Sequence, residues 1–407
     1  MSFVIIGNGA AGITAAAQIA QAAPGNAIDV YTNEKYPYYP RPRLPELLAG
    51  TIQVEDLYFH NDAWYERRGI RVHLGAPAAA IAPDRHEITL GNGKAVLYDR
   101  LLLAAGARSF VPPITNADKL QGVFTMRNID DVLAIRAYAA GKEQAVVIGG
   151  GLLGLEAARA LRQLGLDATV VEFAPYLLPR QLDAEGAAIL TAIMENLGLQ
   201  VVANAATESI LDDGAGRARG VALKDGRTLD ADLVLISAGV RSNLDLARAA
   251  GIAVNKGVVA DVHMQTDAPD VFAAGDVAEF NGIVWGIVPA ALEQGRVAGL
   301  NMAGQETAYT DITPSNTLKV AGVDLTSVGN VNPQGEGYEQ LRRTDRDNGI
   351  YKKFVLQNGR LVGAILLGDP KPVAVVSKLV AAKADVGAYR ADLVQDDFDW
   401  KSVMRKT

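Results

Sequence analysis

Two short apolar runs, each followed by a glycine-rich turn, dominate the pattern of hydrophobic and polar positions. Phe3–Ile6 precedes the turn Gly7–Gly12, and Ala145–Ile148 precedes the turn Gly149–Gly154. An Ala- and Leu-rich stretch that is typical of a helix follows each turn, so the pattern predicts two strand–turn–helix units. Both turns have the GxGxxG spacing of loops that bind dinucleotides.

The three glycines of such a turn have different physical roles. The first permits a tight turn, the second lets the backbone approach a pyrophosphate, and the third lets the helix pack close to the sheet. The amides at the helix N-terminus then face the phosphates. Two such turns favour two dinucleotides bound at once, one of them a flavin that receives electrons from the other. The predicted contacts are Gly7, Gly9, Ala10, Ala11 and Gly12, and then Gly149, Gly151, Leu152, Leu153 and Gly154.

Each unit continues into a second strand that ends near an acidic residue. Asn33 and Glu34 follow the strand-like run 27–31, and Glu172 ends the run 168–172. A carboxylate there accepts hydrogen bonds from a ribose hydroxyl. We expect Asn33 to share this role with Glu34, whose alternative is a solvated turn residue. No arginine for a 2′-phosphate directly follows Glu172, which favours NADH over NADPH, although the nearby Arg180 weakens that preference.

A buried strand ending in small residues follows each turn about 90 to 100 residues later, a spacing typical of an internal repeat. The first such strand leads from Leu101 through Ala104 and Gly106 to Arg108. The second, Leu233–Ile236, leads through Gly239 to Arg241. The whole nucleotide-binding unit is therefore predicted to occur twice.

Four prolines fall within the ten residues 36–45, which also hold Arg41 and Arg43. Proline at this density forbids a regular helix and predicts a stiff, extended loop. Its arginines can reach a pyrophosphate and its tyrosines can enclose a ring system. The alternative interpretation is a rigid surface linker.

The segment 270–277 reads as a strand that ends in Gly275 and Asp276. Asp276 could accept hydrogen bonds from a polyol, although taken alone the segment is an ordinary strand-to-turn junction. Residues 285–289 then lead into a helix predicted from about Ala290 to Met302, whose N-terminus could stabilise negative charge on a reduced flavin. Beyond Ala308 the pattern changes to strands at 316–320, 349–355 and 361–365, and a helix at 372–383.

Composition narrows the function classes. The 407-residue chain has a formal net charge of −7, which disfavours nucleic acids and anionic membranes as main partners. It has no cysteine, so it forms no disulfide, thiolate nucleophile or iron–sulfur cluster. Its four histidines lack metal-ligand spacing, so no metal site is expected. The short sequence before the first strand leaves no room for a signal peptide, and no membrane segment is evident, so the expected location is cytoplasmic.

Taken together, these motifs resemble the pyridine nucleotide–disulfide oxidoreductase superfamily, in the cysteine-free branch that holds NADH:rubredoxin oxidoreductases. The chain is also similar to the flavin-binding part of the NAD(P)H nitrite reductase large subunit. The resemblance covers essentially the whole chain. Besides the two turns, it is carried by the segments 34–44, 179–183, 275–280, 295–304 and 318–320.

The resemblance implies an α/β fold with two Rossmann-like domains, the second inserted in the first, and a C-terminal α+β domain. An FAD-binding domain would comprise residues 1–110 and 240–307, an NADH-binding domain 111–239, and the C-terminal domain 308–407. Further residues implied at FAD are Arg41, Arg43, Ala78, Ala104, Gly106, Arg108, Gly275, Asp276, Ile287, Val288 and Lys319. Those implied at NADH are Glu156, Glu172 and Gly239, with a helix surface charge as the alternative for Glu156.

Hydride transfer from NADH to the flavin would need no catalytic side chain, although Lys319 would lie near the flavin. Electrons would then pass to rubredoxin or, as a second choice, a ferredoxin-like protein. The missing cysteine excludes disulfide reductases and water-forming NADH oxidases. A peroxide-forming NADH oxidase and an NADH-responsive interaction protein remain open as alternatives. The sequence is compatible with either a monomer or a homodimer. It also leaves open whether Arg41 or Arg43 contacts the FAD phosphate.

Overall fold

The computed structural model describes residues 1–310, 315–320 and 322–404, without the side chains of 315–320, 401 and 404. The helices of this part are α1 (Ala10–Ala22), α2 (Leu44–Leu48), α3 (Asp62–Glu66), α4 (Ile129–Ala139), α5 (Leu152–Gln163), α6 (Ala184–Asn196), α7 (Asp245–Ala249), α8 (Val288–Met302), α9 (Val373–Ala381) and α10 (Trp400–Met404).

The strands of the first half are β1 (Ser2–Ile6), β2 (Ala27–Tyr31), β3 (Ile70–His73), β4 (Ala78–Ala82), β5 (Glu87–Leu90), β6 (Ala95–Leu97), β7 (Arg100–Leu103), β8 (Ala107–Ser109), β9 (Val123–Thr125), β10 (Gln144–Ile148), β11 (Asp167–Val171) and β12 (Gln200–Val202). Those that follow are β13 (Thr207–Asp212), β14 (Ala218–Leu223), β15 (Thr228–Asp230), β16 (Leu233–Ile236), β17 (Val240–Ser242), β18 (Val258–Val259), β19 (Val271–Ala273), β20 (Ala278–Glu279), β21 (Ser315–Val320), β22 (Val323–Gly329), β23 (Tyr338–Asp345), β24 (Ile350–Gln357) and β25 (Arg360–Leu367).

The chain forms two compact units, each assembled from separate segments. The first unit comprises Met1–Leu44, Ile52–Phe110 and Val240–Ile312. The second unit comprises Pro45–Thr51, Val111–Gly239 and Thr313–Thr407. The finer division into three domains stays a prediction.

A parallel five-stranded sheet with the order β19-β7-β1-β2-β3 organises the first unit. Successive residues of β1 point to opposite faces: Phe3 and Ile5 join one apolar cluster, whereas Val4 and Ile6 join another. The sheet is therefore buried on both faces, as parallel sheets require, and its strands read as continuous apolar runs. An antiparallel sheet, β4-β5-β6, accompanies it.

Helices α1 and α8 pack at unusually close range in the first unit. A Cβ atom added to Gly295 would lie 2.4 Å from the carbonyl oxygen of Ala11, and one added to Gly299 would lie 2.7 Å from that of Ala15. Only glycine permits this approach. Since α1 follows the first glycine-rich turn, α8 supports that turn from behind.

The second unit repeats the parallel sheet, with the order β12-β11-β10-β16-β9, and adds the antiparallel sheet β13-β14-β15. A further sheet, β21-β22-β25-β24-β23, is antiparallel throughout and packs against α9. These findings confirm the predicted fold class. The sequence pattern did not predict β22 or β23, because polar residues interrupt β22 (VDLTSVG) and dominate β23 (YEQLRRTD), so neither strand has a continuous apolar run.

No helix in the described ranges is both long and apolar enough to cross a bilayer. Within the same residues, no group of three or more His, Asp or Glu side chains is placed to hold a metal ion.

Candidate functional site

The first glycine-rich turn adopts a conformation that requires glycine at two of its three fingerprint positions. Gly7 has φ +117°, and an added Cβ would lie 2.1 Å from the carbonyl oxygen of Ala104. A Cβ on Gly12 would lie 2.0 Å from the carbonyl oxygen of Gly7. Gly9 differs, because a Cβ there would meet no described atom within 4 Å. Open space beside Gly9 is where a ligand can approach the backbone.

The chemistry of this turn suits an anion. Gly9 precedes α1 and has no side chain to cap it, so the helix presents its first amides, in Ala10, Ala11 and Gly12, beside this open space. The aligned peptide dipoles of α1 add partial positive charge there. Asn8 Oδ1 is buried without a hydrogen-bond partner among the described residues, which a ligand hydroxyl would satisfy. The residues present therefore fit a dinucleotide pyrophosphate.

Glu34 lies beyond the end of β2 and is held by two neighbours from the proline-rich loop. Its carboxylate accepts hydrogen bonds from the Tyr39 hydroxyl and from Arg41 Nη2, the latter at 2.6 Å. Burial lowers the pKa of Arg41, but the hydrogen bond to Glu34 and the charges of Glu34, Tyr39 and Asp276 together outweigh it, so the net pKa lies above its ordinary value. Asn33 is exposed. Contact of Glu34 or Asn33 with a ribose stays a prediction.

The two arginines of the loop point to different groups. Arg41 pairs with Glu34, whereas Arg43 Nη1 donates to the backbone carbonyl of Asp56 at 2.9 Å. The charge of Asp276 also contributes to the raised pKa of Arg41, so the loop and the Gly275–Asp276 turn share one electrostatic environment. Contact of either arginine with FAD stays a prediction.

The structure brings Gly275 and Asp276 to the first turn of α1. A Cβ on Gly275, which has φ +81°, would lie 2.9 Å from the Cβ of Ala11. The Gly275 amide donates to Gln294 Oε1 at 2.9 Å, and the Ser242 hydroxyl donates to the Asp276 carbonyl at 2.7 Å. No local sequence signal predicts Gln294 or Ser242 here, because their partners lie 19 and 34 residues away in the chain.

Other predicted FAD contacts take up varied positions in the first unit. Ala104 is buried, Gly106 has φ +66°, and exposed Arg108 pairs with Asp245 at 3.2 Å. Ala78 begins β4 and packs partly buried against an apolar cluster. Their contact with FAD stays a prediction.

The N-terminus of α8 is the last part of the first unit singled out by sequence. Ile287 precedes the helix, and Val288 at its first position is 42% exposed. Trp285 Nε1 is a buried donor with no acceptor in the described part of the chain, which suits a ligand carbonyl. Lys319 belongs to β21 of the second unit, and its side chain lies outside the described residues.

The second glycine-rich turn repeats the geometry of the first. Gly149 has φ +119°, and a Cβ there would lie 2.3 Å from the carbonyl oxygen of Ser237. A Cβ on Gly154 would lie 2.0 Å from the carbonyl oxygen of Gly149, whereas one on Gly151 would meet no described atom within 4 Å. Gly151 precedes α5, whose first residues are Leu152 and Leu153. The second turn therefore also fits a pyrophosphate.

Glu172 is bound by backbone amides at the end of β11. Its two carboxylate oxygens accept hydrogen bonds from the amides of Gly150 and Ala174, each at 2.6 Å. Both oxygens keep lone pairs that a ribose diol can use. Gly239 is exposed with φ +95°, and Glu156 is partly buried on α5. Their contact with NADH stays a prediction.

Two family models match the chain. That of the pyridine nucleotide-disulphide oxidoreductases matches residues 1–303. That of the rubredoxin NAD+ reductase C-terminal domain matches residues 314–384. Together they span most of both units.

Individual proteins are similar over most of the chain. Nitrite reductase [NAD(P)H] of Bacillus subtilis is 36% identical over 94% of this chain and 47% of its own length. NADH-rubredoxin oxidoreductase of Clostridium acetobutylicum is 33% identical over 90% of both chains. The covalent putidaredoxin reductase–putidaredoxin complex has a chain that matches with a TM-score of 0.88 at 26% identity, covering 100% and 98% of the two chains. The present chain spans about half the length of this nitrite reductase and of a second similar protein, the assimilatory nitrate reductase electron transfer subunit of Bacillus subtilis.

Proposed function

Since the chain belongs to the pyridine nucleotide-disulphide oxidoreductase family, we propose that it oxidises NADH and reduces a small redox protein through bound FAD. The observation that carries the proposal is the pair of pyrophosphate-binding turns, in which the same backbone clashes enforce glycine. The predicted family and the predicted cofactor pair, FAD and NADH, are confirmed by the family match and by the relatives.

We assign FAD to the first turn and NADH to the second. The first unit offers Asp276 for a polyol, near Arg41 and beside α1. The second unit offers Glu172 for the adenosine ribose of NADH. On this assignment residues 1–110 and 240–307 bind FAD, residues 111–239 bind NADH, and residues 308–407 form the C-terminal domain.

The flavin, when bound, supplies the hydride acceptor and the single-electron donor. The chain itself binds the two pyrophosphates at α1 and α5, fixes the ribose through Glu172 and orients both cofactors. Because the chain has no cysteine, no thiol–disulfide relay takes part. Electrons therefore leave the protein directly for an external acceptor.

Rubredoxin is the acceptor we propose first, and a ferredoxin-like protein second. Support comes from the C-terminal family match and from the relative named for rubredoxin. The putidaredoxin complex shows that a chain of this fold pairs with a small redox protein. The predicted monomer or homodimer and the predicted cytoplasmic location remain predictions.

Anaerobic stopped-flow mixing with NADH, followed by rubredoxin or oxygen, tests the proposal. We expect fast flavin bleaching, rapid rubredoxin reduction and a slow reaction with oxygen. Turnover with oxygen alone would instead indicate a peroxide-forming oxidase. A flavin that NADH scarcely reduces, or a long-lived charge-transfer complex without turnover, would contradict electron transfer and favour the NADH-responsive interaction protein.

A further inference from the structure

One segment of the second unit, residues 175–183, contacts the second glycine-rich turn at Gly150, near the start of the turn. The Leu178 amide donates to the Gly150 carbonyl at 3.3 Å. Fully buried Leu177 fills the space that a Cβ on Gly150 would occupy, with its Cδ2 only 2.6 Å from that point. Leu178 has φ +52°, a left-handed conformation that a leucine keeps only where its surroundings impose it. We call residues 175–183 the linking segment.

The linking segment ends in a buried charge cluster. Asp183 caps α6 by accepting a hydrogen bond from the Gly186 amide at 3.1 Å. Its other oxygen accepts hydrogen bonds from Lys353 Nζ and the Tyr351 hydroxyl, both at 2.8 Å. Lys353, on β24, is only 2% exposed. Asn332 adds a further bond, since its Nδ2 donates to the Leu182 carbonyl at 3.0 Å.

We propose that Lys353 is a positioning residue for NADH. Lys353 binds Asp183 and so holds the linking segment in place. Leu177 and Leu178 of that segment in turn maintain the shape of the second glycine-rich turn. The inference rests on the proposed assignment of NADH to that turn. A buried cation loses its hydration and keeps its position only while its paired carboxylate stays in place. Gly150 therefore holds the linking segment at the Leu178 amide, and the charge cluster holds its end at Asp183.

The neighbouring lysine provides a matched control. Lys352 is 3% exposed, but it points to the opposite face of the sheet and pairs with Asp369 at 2.7 Å and Asp396 at 2.8 Å. Neither partner belongs to the linking segment. Removal of either lysine charge disturbs the same strand, whereas only removal of the Lys353 charge acts on the linking segment.

The test is calorimetric titration of the FAD-loaded protein with ADP-ribose, which contains the pyrophosphate and adenosine of NADH. We expect Lys353→Met to weaken ADP-ribose binding about tenfold. Lys353→Arg should restore it, and Lys352→Met should change it less than about twofold. Amide exchange in residues 175–183 should quicken in Lys353→Met and not in Lys352→Met. Asp183→Asn, which keeps a capping side chain, decides the question if Lys353→Met does not fold.

Each result bears on a different conclusion. Unchanged affinity in a folded Lys353→Met or Asp183→Asn variant would overturn the positioning role. Equal weakening in Lys352→Met would overturn it as well, because it would indicate a general loss of the sheet. If the wild-type protein binds no ADP-ribose, the assignment of NADH fails, and the inference falls with it.

Discussion

The two glycine-rich turns share a backbone but differ in what surrounds their acidic residues. Gly7 and Gly149 have φ values of +117° and +119°, and a Cβ on either would clash with the carbonyl oxygen of the residue that follows a neighbouring strand, Ala104 after β7 or Ser237 after β16. Glu34, however, is paired with the side chains of Tyr39 and Arg41, whereas Glu172 is bound by two backbone amides. The shared part is the local geometry that a pyrophosphate requires. The groups that bind the carboxylates of Glu34 and Glu172 differ, and they set how firmly each carboxylate is held in place.

The residue after the first glycine explains this difference. At the second turn that residue is Gly150, where a Cβ would lie 3.0 Å from the Cβ of Glu172, so glycine lets the acid approach the backbone. At the first turn it is Asn8, which has a Cβ and donates weakly to the Tyr36 carbonyl at 3.5 Å. The second turn thus binds its acid directly, and the first relies on the proline-rich loop.

The largest expected effect comes from Gly7→Ala and Gly149→Ala, since each adds a Cβ against backbone in a left-handed conformation. We expect each change to destabilise the fold by about 2 kcal/mol or more. Gly7→Ala should be purified without FAD, and Gly149→Ala should keep FAD but lose reduction by NADH. Flavin absorbance and its bleaching measure both. Loss of FAD from Gly149→Ala instead would refute the assignment.

Gly9→Ala and Gly151→Ala separate ligand binding from folding. A Cβ at either position meets no described atom within 4 Å, so unfolding free energies should stay within about 0.5 kcal/mol of wild type. The methyl group would occupy the space of the phosphates, so FAD or NADH affinity should fall about tenfold. Chemical denaturation measures the unfolding free energy, and ligand titration measures the affinity for FAD or NADH. Unchanged affinity would show that phosphates do not approach these glycines.

Glu172→Gln and Glu34→Gln compare the two acids. In Glu172→Gln the new side-chain NH2 group would have to face a backbone amide, so NADH affinity should fall about tenfold and the preference over NADPH should narrow. Glu34→Gln should weaken FAD binding only about threefold, because Arg41 is partly exposed and keeps other neighbours. Reductive titration and FAD dissociation measure these changes. A larger effect at Glu34 would reverse the comparison.

The smallest expected effect concerns the stability of the fold at low pH, and it compares Asp29 in the first unit with Asp183 in the second. Burial raises both pKa values, but the partners of each carboxyl together outweigh it: Arg71 and His73 at Asp29, and Lys353, Tyr351 and the Gly186 amide at Asp183. Both pKa values therefore lie below their ordinary value of 3.8. A lowered folded-state pKa stabilises the fold above about pH 3.8, and this contribution disappears as pH falls through the folded-state value. Melting temperatures measured at a series of pH values should show the loss of this contribution.

Asp29→Asn and Asp183→Asn should melt below wild type at about pH 6, and the difference should shrink below pH 3.8. A difference that does not depend on pH would mean that the charge of these carboxyls contributes nothing. A difference seen only for Asp183→Asn would identify the second unit as the acid-sensitive one.

The sequence by itself determined the local features: two strand–turn–helix units, their glycine positions and the acids that follow. These depend on backbone angles and on side-chain periodicity within a few residues, so short segments encode them. The α8 helix illustrates the limit, because it was predicted from about Ala290 and begins at Val288. A proline at its second position permits the earlier start.

Only the tertiary structure decided which distant groups meet. Arg41 pairs with Glu34, Gln294 binds the Gly275 amide, and Lys353 reaches Asp183 across 170 positions of sequence. Such contacts depend on how whole sheets and helices pack, and no local pattern distinguishes a buried lysine from a solvated one. The glycine-rich turns are therefore encoded by short stretches of sequence, whereas the contacts that support them form only in the folded chain.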